Sequence, residues 1–257
     1  MKDQIMESLS EIEKSENVTV LYACESGSRA WGFASADSDY DVRFIYLHPP
    51  SWYLSVNLES RRDVIERPIE DLLDISGWDL RKALKLFRKS NPPLLEWLGS
   101  PIVYREELMT ASRLRKLSES YYSPSASGYH YLHMAKKNYR EYLKGDIVWR
   151  KKYFYVLRPL LAIKWLEAGY GVVPTEFETL LKKLVPPGGL RDAIAQLINE
   201  KAEGGELDRG PRVPEISDFI ITELDRLAET KFAKRPKVPP VGPLNELFRL
   251  ELKEVYG

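Results

Sequence analysis

Two β-branched, apolar runs flank the segment GSRAWGFASADSDYDV between Gly27 and Val42, and no other stretch restricts the fold as much. A strand expected over 18–24 delivers Gly27-Ser28 at its end, and Asp39-Tyr40-Asp41 leads into a second strand expected over 41–47. Residues two apart on a strand point to the same face, so Asp39 and Asp41 present two carboxylates side by side. Such a pair repels, and burying it costs free energy unless a cation sits between the two groups. Mg²⁺ is the usual cation held by one or two carboxylates together with substrate phosphates. Gly27-Ser28 offers a backbone that a phosphate can approach closely, with N–H groups and a hydroxyl beside it. Asp37-x-Asp39-x-Asp41 also begins like a Ca²⁺ loop of the EF-hand type. That loop requires Gly at its sixth position and Glu at its twelfth, where this chain has Val42 and His48.

The 257 residues suffice for one large domain or two small ones. Lys plus Arg and Asp plus Glu number 38 each. The formal charge of zero argues against a protein that coats nucleic acid by bulk electrostatics, and leaves room for a local basic groove. The single cysteine, Cys24, allows no intrachain disulfide, which fits a reducing cytoplasm, and its apolar strand context predicts a buried thiol. The charged N-terminal stretch MKDQIMESLSEIEK lacks the apolar centre of a signal peptide, and no run reaches membrane-spanning length, so no membrane partner is expected.

Ile5, Leu9 and Ile12 at helical spacing predict a first helix over 1–16. Residues 63–66 read as an edge strand and 71–76 as a third core strand broken at Gly77. A helix over 78–89 follows, with Leu80, Ala83, Leu84 and Phe87 as its apolar stripe. After about residue 106 strand signals cease. Helices are expected over 108–121, 129–144, 151–168, 175–184, 190–203, 216–232 and 244–256, separated by SPSAS, PPGG, EGGELDRGPRVP and a Pro-rich stretch over 236–243. The expected class is α+β, with an N-terminal α/β domain over 1–105 and a helical domain over 106–257.

Gly27-Ser28-Arg29-Ala30-x-Gly32 followed by Ser38-Asp39-x-Asp41-Val42 resembles the signature of the polymerase-beta-type nucleotidyltransferases, and looks most like its minimal members. Later phrases narrow the likeness: Ile75-Ser76-Gly77-Trp78-Asp79-Leu80-Arg81-Lys82, Lys89-Ser90-Asn91-Pro92 with Glu96-Trp97-Leu98, and Lys152-Tyr153-Phe154-Tyr155 with Arg158-Pro159-Leu160. Together they resemble the nucleotidyltransferases associated with RNA-repair ligases. The resemblance implies a small mixed sheet flanked by helices, two Mg²⁺ ions (or Mn²⁺), and transfer of a nucleoside monophosphate from a nucleoside triphosphate to a hydroxyl, with release of pyrophosphate.

Residue by residue, it makes Asp39 and Asp41 metal ligands and catalytic residues. A third carboxylate is expected on a neighbouring strand. Asp74 is the first choice, Asp79 the second, with Asp71 and Glu70 behind them; Asp79 reads equally as an acid at a helix N-terminus. Gly27, Ser28 and Arg29 are assigned to the phosphates. Lys151, Lys152, Tyr155 and Arg158 are expected to share helix faces and to contact the nucleotide, against the plainer reading of a solvated basic face. His130 and His133 lie one helical turn apart with no third ligand beside them, and most aromatics over 121–155 read as core. The acceptor stays open between an RNA end, a small molecule and a protein side chain. The alternative is a non-catalytic, antitoxin-like regulatory protein that keeps the fold and binds nucleotide.

Overall fold

The computed structural model describes residues 1–69, 71–203, 209–230, 232 and 238–257. In chain order the elements are α1 (Lys2–Glu16), β1 (Thr19–Glu25), α2 (Gly27–Trp31), β2 (Tyr40–Leu47), α3 (Pro50–Tyr53), β3 (Val64–Glu66), β4 (Leu73–Asp79), α4 (Leu80–Phe87), α5 (Pro92–Leu98), β5 (Val103–Glu106), α6 (Thr110–Tyr121), α7 (Pro124–Tyr142), β6 (Ile147–Trp149), α8 (Tyr153–Glu167), α9 (Phe177–Leu184), α10 (Gly189–Ala202), β7 (Arg209–Pro211), α11 (Pro214–Arg226) and α12 (Gly242–Tyr256). The fold is mixed α+β, as expected. The chain forms two units, one of residues 1–30, 39–122 and 237–257, the other of 31–38 and 123–236.

The first unit is built on a five-stranded sheet in the order β3-β4-β2-β1-β5. β2 and β4 run parallel, and the other pairs run antiparallel. Alternation of side chains gives the sheet two apolar faces. Val20, Ala23, Val42, Phe44 and Ile75 pack with Ile5, Leu9 and Ile12 of α1. Tyr22, Cys24, Ile45 and Leu47 pack with α4, α5, α6 and α12. The β1 register slips between Val20 and Tyr22, which lets the consecutive Leu21 and Tyr22 join the same cluster. Cys24 is buried as expected.

Three expectations are corrected here. The core strand does not break at Gly77; β4 continues to Asp79, because the Phe44 ring lies where a Gly77 side chain would stand. β5 was not read as a strand, because four residues with Val103 exposed carry too little apolar pattern. The domain boundary is not at 105/106. α6 belongs to the first unit, and α12 returns to it from the far end of the sequence. Leu244 and Leu247 of α12 enter the sheet's core, the Tyr256 hydroxyl donates to the Leu47 carbonyl at 3.0 Å, and the buried Glu251 accepts from Thr110 Oγ1 at 2.6 Å and Arg113 at 2.8 Å.

The second unit is mostly helical, with a short antiparallel pair of β6 and β7. SPSAS is not a separator: Ser123 caps α7 by accepting from the Ala126 N–H, and Pro124 occupies its first turn. α8 is the unit's buried helix, with eleven side chains out of solvent. Within this unit Phe33 stacks on Phe154 with ring centres 4.4 Å apart, and Trp31 meets Tyr155 edge-on at 5.5 Å.

Removing the Glu251 carboxylate leaves the Thr110 hydroxyl without its buried acceptor and takes one carboxylate from Arg113. Glu251→Ala is expected to lower stability by about 2 kcal/mol, seen as an earlier urea midpoint; an unchanged midpoint would show that the Glu251 bonds to Thr110 and Arg113 add nothing to stability.

Candidate functional site

β1 ends at Glu25, and the chain turns at Gly27 directly into α2. Gly27 has φ +56°, in the left-handed region, and a Cβ built on it would overlap the Asp41 carboxylate. The motif's glycine is therefore set by close approach as well as by backbone angle. The Ser26 N–H donates to the Asp41 carbonyl at 2.8 Å, tying the turn to the start of β2.

In the parallel pair, Asp41 lies opposite Asp74. A single Arg43 nitrogen donates to Asp41 Oδ1 at 2.9 Å and to Asp74 Oδ2 at 2.7 Å. The other terminal nitrogen bonds to the Val42 and Asp74 carbonyls, both at 3.0 Å. Arg43 was not anticipated as a site residue. Its signal was the two-residue spacing of Asp41 and Arg43, which puts both on one face of β2.

Glu25 was also missed. It is fully buried, accepts from the Asp41 N–H at 2.7 Å, and takes a hydrogen bond from the Tyr104 hydroxyl. Burial raises the Glu25 pKa above the ordinary carboxylate value despite those bonds. Burial likewise raises Asp41; Arg43 opposes the rise, and the Asp74 and Asp39 charges add to it. The Asp74 and Asp39 charges thus act on Asp41. Asp39 itself is exposed, just before β2. Arg29 donates from Nε to the Asp39 carbonyl at 3.1 Å and lies 3.6 Å over the Tyr40 ring.

The donor set is carboxylate oxygen, which suits a hard divalent ion, and Asp41 and Asp74 already converge on one cationic group. These two residues fit such an ion. Among the described residues no three His, Cys, Asp or Glu side chains are gathered as a ready-made metal cluster, and that covers His130 and His133.

The other carboxylates considered for the third position lie elsewhere. Asp79 ends β4, five residues beyond Asp74, and caps α4 by accepting from the Arg81 N–H at 2.7 Å and the Tyr53 hydroxyl at 2.6 Å. Asp71 is exposed with φ 51°, and Glu70 falls outside the described residues.

The expected basic helix face takes a different form. Lys151 and Lys152 lie in a 3₁₀ turn ahead of α8. The Lys152 ammonium stands 4.5 Å from the Tyr155 ring centre and 4.7 Å from that of Tyr142; burial and Lys151 hold its pKa below the usual lysine value. Tyr155 is 39% exposed. Arg158 is only 1% exposed, donates to the Pro174 and Thr175 carbonyls at 3.2 Å each, and lies over the Trp31 ring at 5.0 Å. The exposed face expected to include Arg158 fails because α8 is buried on nearly all sides, where helical spacing says nothing about solvent.

The family described as RNA repair pathway DNA polymerase beta family, RlaP, matches residues 1–250. This chain belongs to the RlaP family. Membership places it in the polymerase-beta-type nucleotidyltransferase superfamily. It is 51% identical over 257 residues to the Bacillus subtilis (strain 168) protein named "Uncharacterized protein YcgL", covering 100% of this chain and 98% of that one. It also aligns with a nucleotidyltransferase-like protein from Exiguobacterium sibiricum 255-15 at 12% identity and a TM-score of 0.30, over 87% of this chain and 78% of that one. Among the described residues no helix is long and apolar enough to cross a membrane.

Gly27→Ala forces a Cβ onto Asp41 at a left-handed position and is expected to cost about 2 kcal/mol or more; an unaltered thermal midpoint would contradict the contact. Asp79 is 1% exposed, and burial lifts its pKa to about 6. The folded chain thus holds this proton more tightly than the unfolded chain, and stability falls as pH rises between about 4 and 6. Asp79→Asn keeps a capping oxygen and removes this component, so the variant gains on the parent between pH 4 and pH 7 in urea titrations. Parallel pH profiles would refute the assignment.

Proposed function

We propose that this chain is a metal-dependent nucleotidyltransferase that moves a nucleoside monophosphate from a nucleoside triphosphate to a hydroxyl acceptor and releases pyrophosphate. The observation that carries the reading is the Asp41–Asp74 pair facing one another across two parallel strands, with the Gly27 backbone closed against the Asp41 carboxylate. Asp39, Asp41 and Asp74 would hold Mg²⁺ or Mn²⁺, which supplies a lowered pKa for the acceptor hydroxyl and neutralises charge on the departing pyrophosphate.

The chain's own groups do the rest by position and fixed charge. The Gly27-Ser28 turn offers backbone N–H groups and the Ser28 hydroxyl to the triphosphate, with Arg29 next along α2. In this reading Asp74 would accept the acceptor's proton. Glu25 acts through Asp41: by taking the Asp41 N–H it fixes the backbone from which that carboxylate projects. Lys151, Lys152 and Tyr155 are proposed as a basic, aromatic anion-binding group of the second unit, within which Arg158 lies over the Trp31 ring. The family's RNA-repair description favours an RNA end as acceptor.

One observation favours the second reading, a nucleotide-binding regulatory protein: Arg43 already supplies a cation to both carboxylates. The test is incubation with each α-labelled nucleoside triphosphate, Mg²⁺ or Mn²⁺, and a panel of tRNA, short RNAs and cell extract. Label on one acceptor is expected. Asp39→Ala combined with Asp41→Ala should reduce it about a thousandfold or more, with unchanged circular dichroism. Metal-dependent triphosphate binding without transfer would support the regulatory reading.

A further inference from the structure

The parallel pair of β2 and β4 has a second end. Tyr46 lies opposite Asp79 there, five residues or about 16 Å along the strands from the Asp41–Asp74 pair. A cleft of about 680 Å³ opens at this end within the first unit. Its size is in the range of small-molecule sites, roughly 300–1,000 Å³. Three arginines, Arg61, Arg62 and Arg67, line it together with Tyr46, His48 and Trp52.

The charge is uneven. Arg62 pairs with Glu66 at 2.7 Å and Arg67 with Glu16 at 3.0 Å, and all four side chains are solvent-exposed by a third or more. Exposed pairs of this kind are weak and share their cation readily with a second anion. Arg61 has no carboxylate within ion-pair distance among the described residues. Its guanidinium lies 5.3 Å from the Trp52 ring centre, and His48 stacks on that ring at 4.0 Å. A guanidinium with a defined resting place and no counter-charge suits a phosphate.

The inner wall points to more than a bare anion. Tyr46 is fully buried, and among the described residues its hydroxyl has no hydrogen-bond partner. A buried hydroxyl left this way costs free energy that a ligand's polar atom can recover. His48 beside it is 8% exposed; burial and the Arg61 charge hold its pKa at about 4, so its ring is neutral at pH 7 and does not add to the cation count.

We propose that this cleft is a second ligand site, distinct from the carboxylate site, for a nucleoside monophosphate: the phosphate on Arg61, shared with Arg62 and Arg67, and the nucleoside filling the cleft toward Tyr46 and His48. The nucleotide is either free or the 5′-phosphorylated end of an oligonucleotide. The site needs no divalent metal and does not depend on the transferase reading.

Calorimetry on the full chain in EDTA tests it, with AMP and GMP as probes. Saturable binding of at least one is expected. Arg61→Ala should weaken it at least tenfold, and Asp41→Asn should leave it unchanged. Tyr46→Phe should weaken binding severalfold while keeping or raising the thermal midpoint without ligand, a split that a purely structural hydroxyl would not give. Inorganic phosphate should bind at least tenfold more weakly than the nucleotide. A 5′-phosphorylated oligonucleotide that competes with AMP and binds more tightly would identify a strand end as the source; weaker binding would identify the free nucleotide. Absence of binding at millimolar nucleotide, binding indifferent to Arg61→Ala, binding lost with Asp41→Asn, or inorganic phosphate matching AMP would each overturn the proposal.

Discussion

The register of one parallel strand pair governs the candidate site. Aligning β2 with β4 sets Asp41 opposite Asp74, and only in that register does the Arg43 side chain reach both carboxylates. A slip of one residue would send Asp74 to the other face and put an apolar side chain in its place. The register is held by the apolar residues between: Val42 and Phe44 face the α1 side, Ile45 the other, and the Phe44 ring occupies the space that Gly77 leaves open. Core packing and site geometry are thus the same constraint, seen from two faces of the sheet.

Partly burying Asp41, Asp74 and the adjoining Glu25 would be costly without compensation. The chain compensates locally. Arg43 brings a guanidinium to two of them, and the Asp41 N–H and the Tyr104 hydroxyl satisfy the fully buried Glu25. The raised pKa values of Asp41 and Glu25 mark the remaining cost. Such a cluster favours an incoming cation, which is the property a metal-dependent phosphoryl-transfer site requires.

Much of the first unit was legible in the sequence because its segments are short and strongly patterned. Ile5, Leu9 and Ile12 face inward from α1, and the stripe Leu80, Ala83, Leu84 and Phe87 is the buried side of α4. What was misread depended on neighbours. Gly77 looked like a break until Phe44 was seen to fill its missing side chain, and β5 becomes a strand because β1 offers it an edge. Arg158 looked like an exposed cation because helical spacing gives faces and not surroundings.

The sequence by itself determined the superfamily, the glycine turn, the two-residue spacing of Asp39 and Asp41 ahead of the apolar run of β2, and the α+β class. These follow from spacing along one strand and one turn, where two-residue alternation and glycine's backbone freedom act locally. Tertiary structure alone decided that Asp74 meets Asp41, that Glu25 and Arg43 join them, that α12 completes the first unit from the other end of the chain, and that a basic cleft stands at the opposite end of the same strands. Each of those is a meeting of residues distant in sequence or on different elements, and it is set by sheet register and core packing, which no local pattern encodes.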